Sequence, residues 1–330
     1  MSNVNNGGLT TSGLLKSIKR RAMIPDNQNT FTDQDFIDLM NEEMMIGIVP
    51  SILQMKEEYF IFKQSIPLVA DKSSYPVPER ALAGKLRELC FRDTPTGSTG
   101  NEYEMTQIAV DDRYTGLSNG TGSSDFTGFR RFYMMGNDVV LHPNVGPSPY
   151  GALTFYYYIR PNSLVKDSAV ASINGIDRNT GDIILSSIPA GYTTASTNGL
   201  STKYDFVKAR SGHNIIDVDV TINSINASTR TINITPSKIP KDLDVGDYFA
   251  LAGQTCIPNI PTELHMVLAQ RVAQRALEAI GDTEGLNNAT AKVLEMENKL
   301  TTMMENRVEG APRKVVNRAL MTGVARNRRR

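Results

Sequence analysis

Apolar residues recur at helical spacing in two parts of the chain, one near each end. In the N-terminal part, the pattern predicts a short basic helix over residues 14–23, which Thr11 or Ser12 caps and Pro25 stops. A second helix is expected after Thr32, with acidic residues in its first turn, where negative charge is favourable. Its apolar positions share one helical face: Phe36, Leu39, Met40, Met44 and Ile48. Pro50 breaks or kinks this helix and can start a third one over residues 51–59.

The C-terminal part predicts two antiparallel helices joined by a short loop. Pro261 and Thr262 start the first helix, which reaches Ile280 and ends at Gly281. The second helix is expected over residues 286–308. Its apolar positions are spaced alternately four and three residues apart, which is typical of a narrow coiled-coil-like packing seam. These positions are Ala289, Val293, Met296, Leu300 and Met303.

Between the helical parts, the pattern changes to β-structure. Strands are predicted at residues 60–69, 85–92, 102–110, 129–135, 138–142 and 153–159. Gly136 and Asn137 form a two-residue hairpin signal between two of them. From residue 163 to 257, short Val, Ile and Thr runs alternate with turn residues. A weak internal repeat of strand, turn, strand and Pro predicts two hairpins there, which can pack as one small barrel or sandwich.

Acidic residues at two places are predicted to face solvent. Glu42 and Glu43 form a pair on the second helix, and Asp217 and Asp219 alternate with valines along a strand. Weak cation binding at Asp217 and Asp219 is the alternative interpretation, but no second acidic segment pairs with them.

Together these elements predict an α+β fold. A helical bundle built from the N- and C-terminal helices carries an inserted all-β domain and ends in a basic C-terminal arm. The predicted division is an N-terminal tail with a short basic helix, a core of helices and then strands, the β-domain, a helical hairpin that completes the core, and the arm. The corresponding ranges are 1–30, 31–162, 163–258, 259–310 and 311–330.

Charge is concentrated at the C-terminus of a chain that is neutral as a whole, with 35 basic and 35 acidic residues. Residues 313–330, here called the C-terminal arm, contain no acidic residue, and their basic residues are Arg313, Lys314, Arg318, Arg326, Arg328, Arg329 and Arg330. Such an arm can contact the phosphates of a nucleic acid, order against a partner subunit, or act only as a solubilising tail. It contains no aromatic residue, which argues against base stacking.

Residues for catalysis or cofactor binding are not apparent. His142, His213 and His265 lack metal-ligand spacing to another His or Cys, and Cys90 and Cys256 are expected to be buried thiols. The sequence has no nucleophile elbow, phosphate loop or dinucleotide fingerprint. It also contains neither a secretory signal nor a membrane span. We therefore expect a protein that is not an enzyme, binds no cofactor or metal and does not contact a membrane.

Several segments resemble the head-to-tail adaptor, or connector ring, proteins of short-tailed bacteriophages, including the crAss-like phages. The similarity covers roughly residues 32–161 and 260–308. It is carried by Asn41-Glu42-Glu43, Val49-Pro50, Glu57-Glu58-Tyr59, Tyr75-Pro76-Val77-Pro78-Glu79-Arg80-Ala81 and Gly84-Lys85-Leu86-Arg87-Glu88. The β-rich segment after residue 163 departs from compact members of this family.

The resemblance implies a structural virion protein of the phage neck or tail, assembled in the host cytoplasm. Subunits of this family form a ring of about twelve copies below the portal, and the lumen passes genomic DNA. The C-terminal arm then becomes the portal-docking arm, and the β-domain faces outward towards tail, neck or fibre proteins. A tail-tube or nozzle component, and a nucleic-acid-binding module that uses the arm, are the alternatives.

Overall fold

The computed structural model describes residues 9–25, 30–94, 100–114, 131–142, 145, 151–194, 196–197, 200–209 and 215–303. The helices of these ranges lie near both ends of the chain: α1 (Thr11–Arg21), α2 (Asp33–Glu43), α3 (Val49–Met55), α4 (Thr262–Ile280) and α5 (Thr283–Met303). A π-helical turn, Met44–Ile48, joins α2 to α3 without a break. Pro50 is the second residue of α3 and directly follows the π-turn, so it starts a helix as predicted, and the π-turn lies where a break or kink was expected.

Strands fill most of the chain between the helices. The first group is β1 (Ile61–Pro67), β2 (Ser74–Pro76), β3 (Ala81–Arg92), β4 (Glu102–Glu104), β5 (Thr106–Gln107), β6 (Arg131–Met135), β7 (Asp138–His142) and β8 (Ala152–Ile159). The second group is β9 (Ser163–Leu164), β10 (Ala171–Asp177), β11 (Asp182–Leu185), β12 (Ser196–Thr197), β13 (Leu200–Ser201), β14 (Tyr204–Val207), β15 (Ile215–Val220), β16 (Ser224–Asn226), β17 (Thr231–Asn233), β18 (Tyr248–Leu251) and β19 (Gln254–Thr255).

These strands form three larger sheets. Two four-stranded sheets have the orders β1-β8-β3-β4 and β2-β7-β6-β5, and a seven-stranded sheet has the order β15-β14-β18-β10-β11-β17-β16. Pairing in them is antiparallel except between β5 and β6. Two short pairs, β12-β13 and β19-β9, complete the described sheet structure.

The predicted fold class is wrong. The described chain is mostly antiparallel β-sheet with helices at both ends, and is not a helical bundle that carries an inserted β-domain. The reason is that the apolar faces of the helices pack against the sheets as well as against one another. Phe36 of α2 and Leu268 of α4 share one continuous hydrophobic core with Phe155 and Tyr157 of β8, so the helices and the four-stranded sheets stabilise each other.

The seven-stranded sheet has a hydrophobic core of its own, centred on Tyr204, Phe206 and Phe249. The two predicted hairpins exist as β10-β11 and β16-β17. However, β11 pairs directly with β17, so the hairpins extend one sheet edge to edge instead of packing as a barrel or sandwich. The five predicted domain ranges stay predictions.

Local signals in the sequence define several element ends correctly. Thr32 caps α2 in a full capping box with Asp35, and Gly136 provides the positive φ that the β6-β7 turn needs. Gly281 ends α4 in a left-handed conformation. The predicted cap of α1 is wrong, because the side chain of Thr10, and not that of Thr11 or Ser12, accepts a hydrogen bond from the N–H of Gly13.

Candidate functional site

Helices from the two ends of the chain meet in one layer. Leu14 and Ile18 of α1 are completely buried, and the side chain of Arg21 donates to Gln270 on α4 at 2.5 Å. Just before α1, the amide of Leu9 donates to Nδ1 of the buried His265 at 3.1 Å. Nε2 of His265 therefore carries the proton and faces the carbonyl of Ile260 at 3.3 Å. The N-terminal segment is thus attached to the start of α4.

A buried carboxylate connects α2 with α4 and α5. Glu43 is only 7% exposed, and it accepts hydrogen bonds from Arg271 at 3.3 Å and from Arg275 at 2.7 Å. Arg271 also donates from Nε to Glu297 on α5 at 2.8 Å. We call these four residues the Glu43 network. The hydrogen bond to Glu43 raises the pKa of Arg275, so this arginine keeps its charge. Glu43 was predicted to face solvent, and that prediction is wrong.

The π-helical turn brings the backbone of Gly47 against the guanidinium group of Arg271. A π-turn inserts an extra residue into the helix and changes which side chains face the neighbouring elements. The hydroxyl of Ser51 donates to the Gly47 carbonyl at 3.1 Å, which satisfies a backbone acceptor near the turn. The turn therefore allows α2 and α3 to follow α4 closely while Glu43 remains buried beside the arginines.

A cleft of about 570 Å³ lies between α3 and the α4-α5 pair, here called the helix cleft. Ile48, Ile52 and Met55 line one side, and Leu264 and Val267 of α4 line the other. Polar groups form the remainder, including Ser51 and Gln54 from α3, Arg271 from α4, and Glu297 and Asn298 from α5. The helix cleft therefore has two apolar sides and a polar remainder. It lies near the described end of α5.

The structure places part of the predicted packing seam against α4. Ala289 and Val293 are buried and Met296 is half-buried, while Gln274 of α4 donates to Thr290 of α5 at 3.0 Å. The side chains of Leu300 and Met303 lie outside the described residues. So does the whole C-terminal arm: Arg313, Lys314, Arg318, Arg326, Arg328, Arg329 and Arg330.

A second polar cluster lies where the seven-stranded sheet meets β8 and the start of β3. Asp205 is completely buried and accepts hydrogen bonds from Arg80 and Asn162, both at 2.9 Å. The backbone amides of Gly253 and Asp219 donate to it at 2.8 and 3.0 Å. Because this carboxylate is so fully bonded, we interpret it as a structural connection between the two parts.

Asp217 and Asp219 do not form the solvent-exposed face of a regular strand. β15 pairs with β14 through register shifts, and Asp219 has a positive φ of 57°. Ile215 and Val218 consequently pack towards the main core, and Asp217 and Asp219 are half-buried. Burial, followed by the neighbouring charges of Asp205 and Asp219, raises the pKa of Asp217 to about 6.

An ion-pair cluster covers the outer face of the β1-β8-β3-β4 sheet. Glu102 of β4 accepts from Lys63 of β1 at 2.6 Å, from Arg92 of β3 at 2.5 Å and from the hydroxyl of Tyr156 at 2.7 Å. Hydrogen bonds from these three partners outweigh desolvation and lower the pKa of Glu102 to about 2. This cluster joins all four strands of the sheet.

The remaining candidate residues do not come together. His142 ends β7 and His265 lies in the helix layer, whereas His213 lies outside the described residues. Cys90 and Cys256 are buried free thiols, as predicted, and burial raises the pKa of Cys90 to about 12. In the part of the chain that the structure describes, no three His, Cys, Asp or Glu residues are grouped to hold a metal ion.

Comparisons with known proteins give no match to a protein-family model or to a curated protein. The similarity to phage adaptors therefore stays a prediction based on the residues quoted for it. Within the described ranges, the structure contains no helix with the length and apolar character needed to cross a membrane.

The sequence interpretation missed the Glu43 network and the Arg80–Asp205 connection. One signal for the first was present: Arg271 and Arg275 are four residues apart on α4, so they share a helix face. Nothing comparable marks Asp205, because its partners come from four separate segments. Such a pairing becomes visible only when the sheets are assembled.

Proposed function

We propose that the protein is a structural virion component of a tailed phage, which forms the adaptor ring next to the portal. About twelve copies of the chain form a closed ring, and heterologous contacts join each copy to its neighbours. The ring joins the head to the tail, and genomic DNA passes through its lumen. The seven-stranded sheet contacts downstream tail, neck or fibre proteins.

The observation that carries this proposal is the attachment of α5, the helix that precedes the C-terminal arm. Through Arg271, Glu297 on α5 is linked to Glu43 on α2, and Ala289 is buried in the main core. The basic arm therefore follows a helix that is fixed to elements from both ends of the chain. A fixed base with a basic extension is suited to attaching a ring subunit to an acidic surface of a partner ring.

The test is electron microscopy of the protein mixed with its cognate portal, with the full chain and with a chain that ends at residue 312. We expect a cyclic ring stacked on the portal with the full chain and none with the truncated one. A full-length variant with the arm's basic residues changed to Gln separates loss of charge from loss of length. Circular dichroism confirms that the variants fold. Portals decorated equally by the truncated chain would refute the docking role of the arm.

The same arm also favours a second function, non-specific binding of nucleic acid. If all seven basic side chains contact phosphates of duplex DNA, log K should fall against log salt with a slope of about −6. No binding at low salt removes this alternative. A tail-tube or nozzle component remains the runner-up among virion roles, and rings that form but do not stack on portals would support it.

A further inference from the structure

The helix cleft and the C-terminal arm have complementary patterns. Five apolar residues of the arm fall on one face if the segment is helical, because they follow the spacing i, i+1, i+4, i+5 and i+9. They are Val315, Val316, Ala319, Leu320 and Val324. Lys314 and Arg318 fall on the opposite face. We call residues 315–324 the arm stripe. The arm therefore contains a segment suited to an apolar groove as well as a basic end.

We propose that the arm stripe of one copy binds in the helix cleft of the neighbouring copy in the ring. This inference rests on the proposed function. An amphipathic helix commonly binds by placing its apolar face in a groove between helices. The helix cleft offers Met55, Leu264 and Val267 for such contacts. Glu263, the chain neighbour of Leu264, is exposed, and its charge is opposite to that of the arm.

The length of the chain favours a neighbouring copy over the same copy. Asn298 lines the helix cleft, and 16 residues lie between it and Val315. The sequence predicts that α5 continues towards residue 308, so the helix before the arm stripe would end about 15 Å beyond Asn298 of its own cleft. A return to that cleft needs a reversal of direction after residue 308. In a closed ring, the adjacent subunit presents an identical cleft, displaced sideways from the first, which the arm can reach without folding back onto its own α5.

This arrangement divides the arm into two parts with different partners. Residues 315–324 join neighbouring subunits, and the terminal basic residues Arg326, Arg328, Arg329 and Arg330 extend beyond the cleft towards the portal. The cost of ordering the stripe is offset only when a neighbouring cleft is present. Ring closure and availability of the basic end are therefore coupled.

Disulfide trapping between two single-cysteine variants of the full-length chain tests the proposal. Ser51→Cys places a thiol in the helix cleft, and Leu320→Cys places one in the arm stripe. The two proteins are mixed and mildly oxidised, with and without the portal. We expect a disulfide-linked heterodimer, which can form only between copies. Asn226→Cys, at an exposed position of β16, replaces Ser51→Cys as the control. The native thiols of Cys90 and Cys256 are buried, so the wild-type chain should stay unlinked.

Two aspartate substitutions, one on the arm stripe and one beside it, test whether the apolar face of the stripe makes the contact. Adding Val324→Asp to the Leu320→Cys chain should lower the yield of heterodimer about tenfold, because a carboxylate would enter an apolar groove. Ala325→Asp adds the same charge next to it, away from the stripe, and should leave the yield unchanged. Equal losses for both variants contradict binding through the apolar face.

The remaining outcomes are also decisive. A disulfide confined within single chains of the Ser51→Cys, Leu320→Cys double variant overturns binding to a neighbour. Yields no higher than the Asn226→Cys control, with and without portal, overturn binding in the helix cleft. Rings that stack on portals without the cross-link overturn binding to a neighbour and leave the proposed adaptor role standing. A cross-link without portal attachment supports binding to a neighbour and contradicts the adaptor role.

Discussion

The guanidinium group of Arg271 fills the space that any side chain at position 47 would need. A Cβ atom added to Gly47 would lie 2.2 Å from Nη1 of Arg271 and 3.1 Å from Oε2 of Glu43. Two helices that are far apart in the sequence therefore contact each other through a backbone without a side chain. This close approach, and not a positive φ, is what favours glycine at position 47.

Gly47→Ala should lower the free energy of unfolding by about 1–3 kcal/mol, because Arg271 must move away from Glu43 to make room. Gly13→Ala is the control, since Gly13 is also helical and its nearest neighbour is the flexible side chain of Leu9. That change should be neutral or stabilise by about 0.5 kcal/mol. Urea denaturation of both variants measures the difference. Equal stabilities would contradict the close approach.

Glu43→Gln should lower the free energy of unfolding by about 2 kcal/mol. The amide cannot match the charges of Arg271 and Arg275, and the half-buried Arg271 then keeps only Glu297 as a charged partner. Glu42→Gln is the matched control, because Glu42 is the exposed neighbour and its change should cost less than about 0.5 kcal/mol. Thermal unfolding of the two variants provides the comparison, and a Glu42→Gln variant as unstable as Glu43→Gln would disprove the role of the network.

Local sequence signals are sufficient to predict where several helices begin or end. Thr32 and Gly281 act through hydrogen bonds and dihedral angles within a few residues of themselves, so a sequence pattern can predict them. The pairing of Ile61 with Tyr158 is different, because it joins strands that are distant in the sequence. Once β1, β3 and β8 form a sheet, the helices pack on it, and this non-local step made the predicted fold class wrong.

The candidate site was harder to predict for the same reason. Glu43 reads as a surface residue beside Glu42, and only the π-turn and the position of α4 make it a buried partner of two arginines. Asp217 reads as part of an alternating strand, but the register shifts between β14 and β15 change the direction of its side chain. Irregularities of one residue leave little trace in a hydrophobic pattern.

Asp217→Asn should stabilise the protein at neutral pH. The folded protein raises the pKa of Asp217 from an ordinary value of 3.8 to about 6. Between these two values the folded carboxyl keeps a proton that the unfolded chain has lost, so its contribution to stability falls as the pH rises and then stays low above about 6. The Asn variant lacks this penalty. Its gain should be about 3 kcal/mol at pH 7.5 and close to zero below pH 4.

Denaturation across pH 4 to 8 checks this expectation. Asp242→Asn is the matched control, because Asp242 is exposed and its replacement should give a nearly constant difference from the wild type. A stabilisation by Asp217→Asn that does not change with pH would show that packing, and not the buried charge, causes the effect.

Glu102→Gln should have the opposite dependence on pH. Lys63, Tyr156 and Arg92 lower the pKa of Glu102 from 4.5 to about 2, so its ionised form stabilises the folded protein above about pH 4.5. That contribution is lost as the pH falls from about 4.5 to about 2. The variant should therefore be less stable by about 1 kcal/mol at pH 7, a value reduced for solvent screening, and the difference should shrink towards pH 2 and in high salt. Glu104→Gln, at an exposed position of the same strand, is the control in the same titration. A difference that remains unchanged at pH 2 would mean that hydrogen-bond geometry, and not charge, holds β1, β3, β4 and β8 together at Glu102.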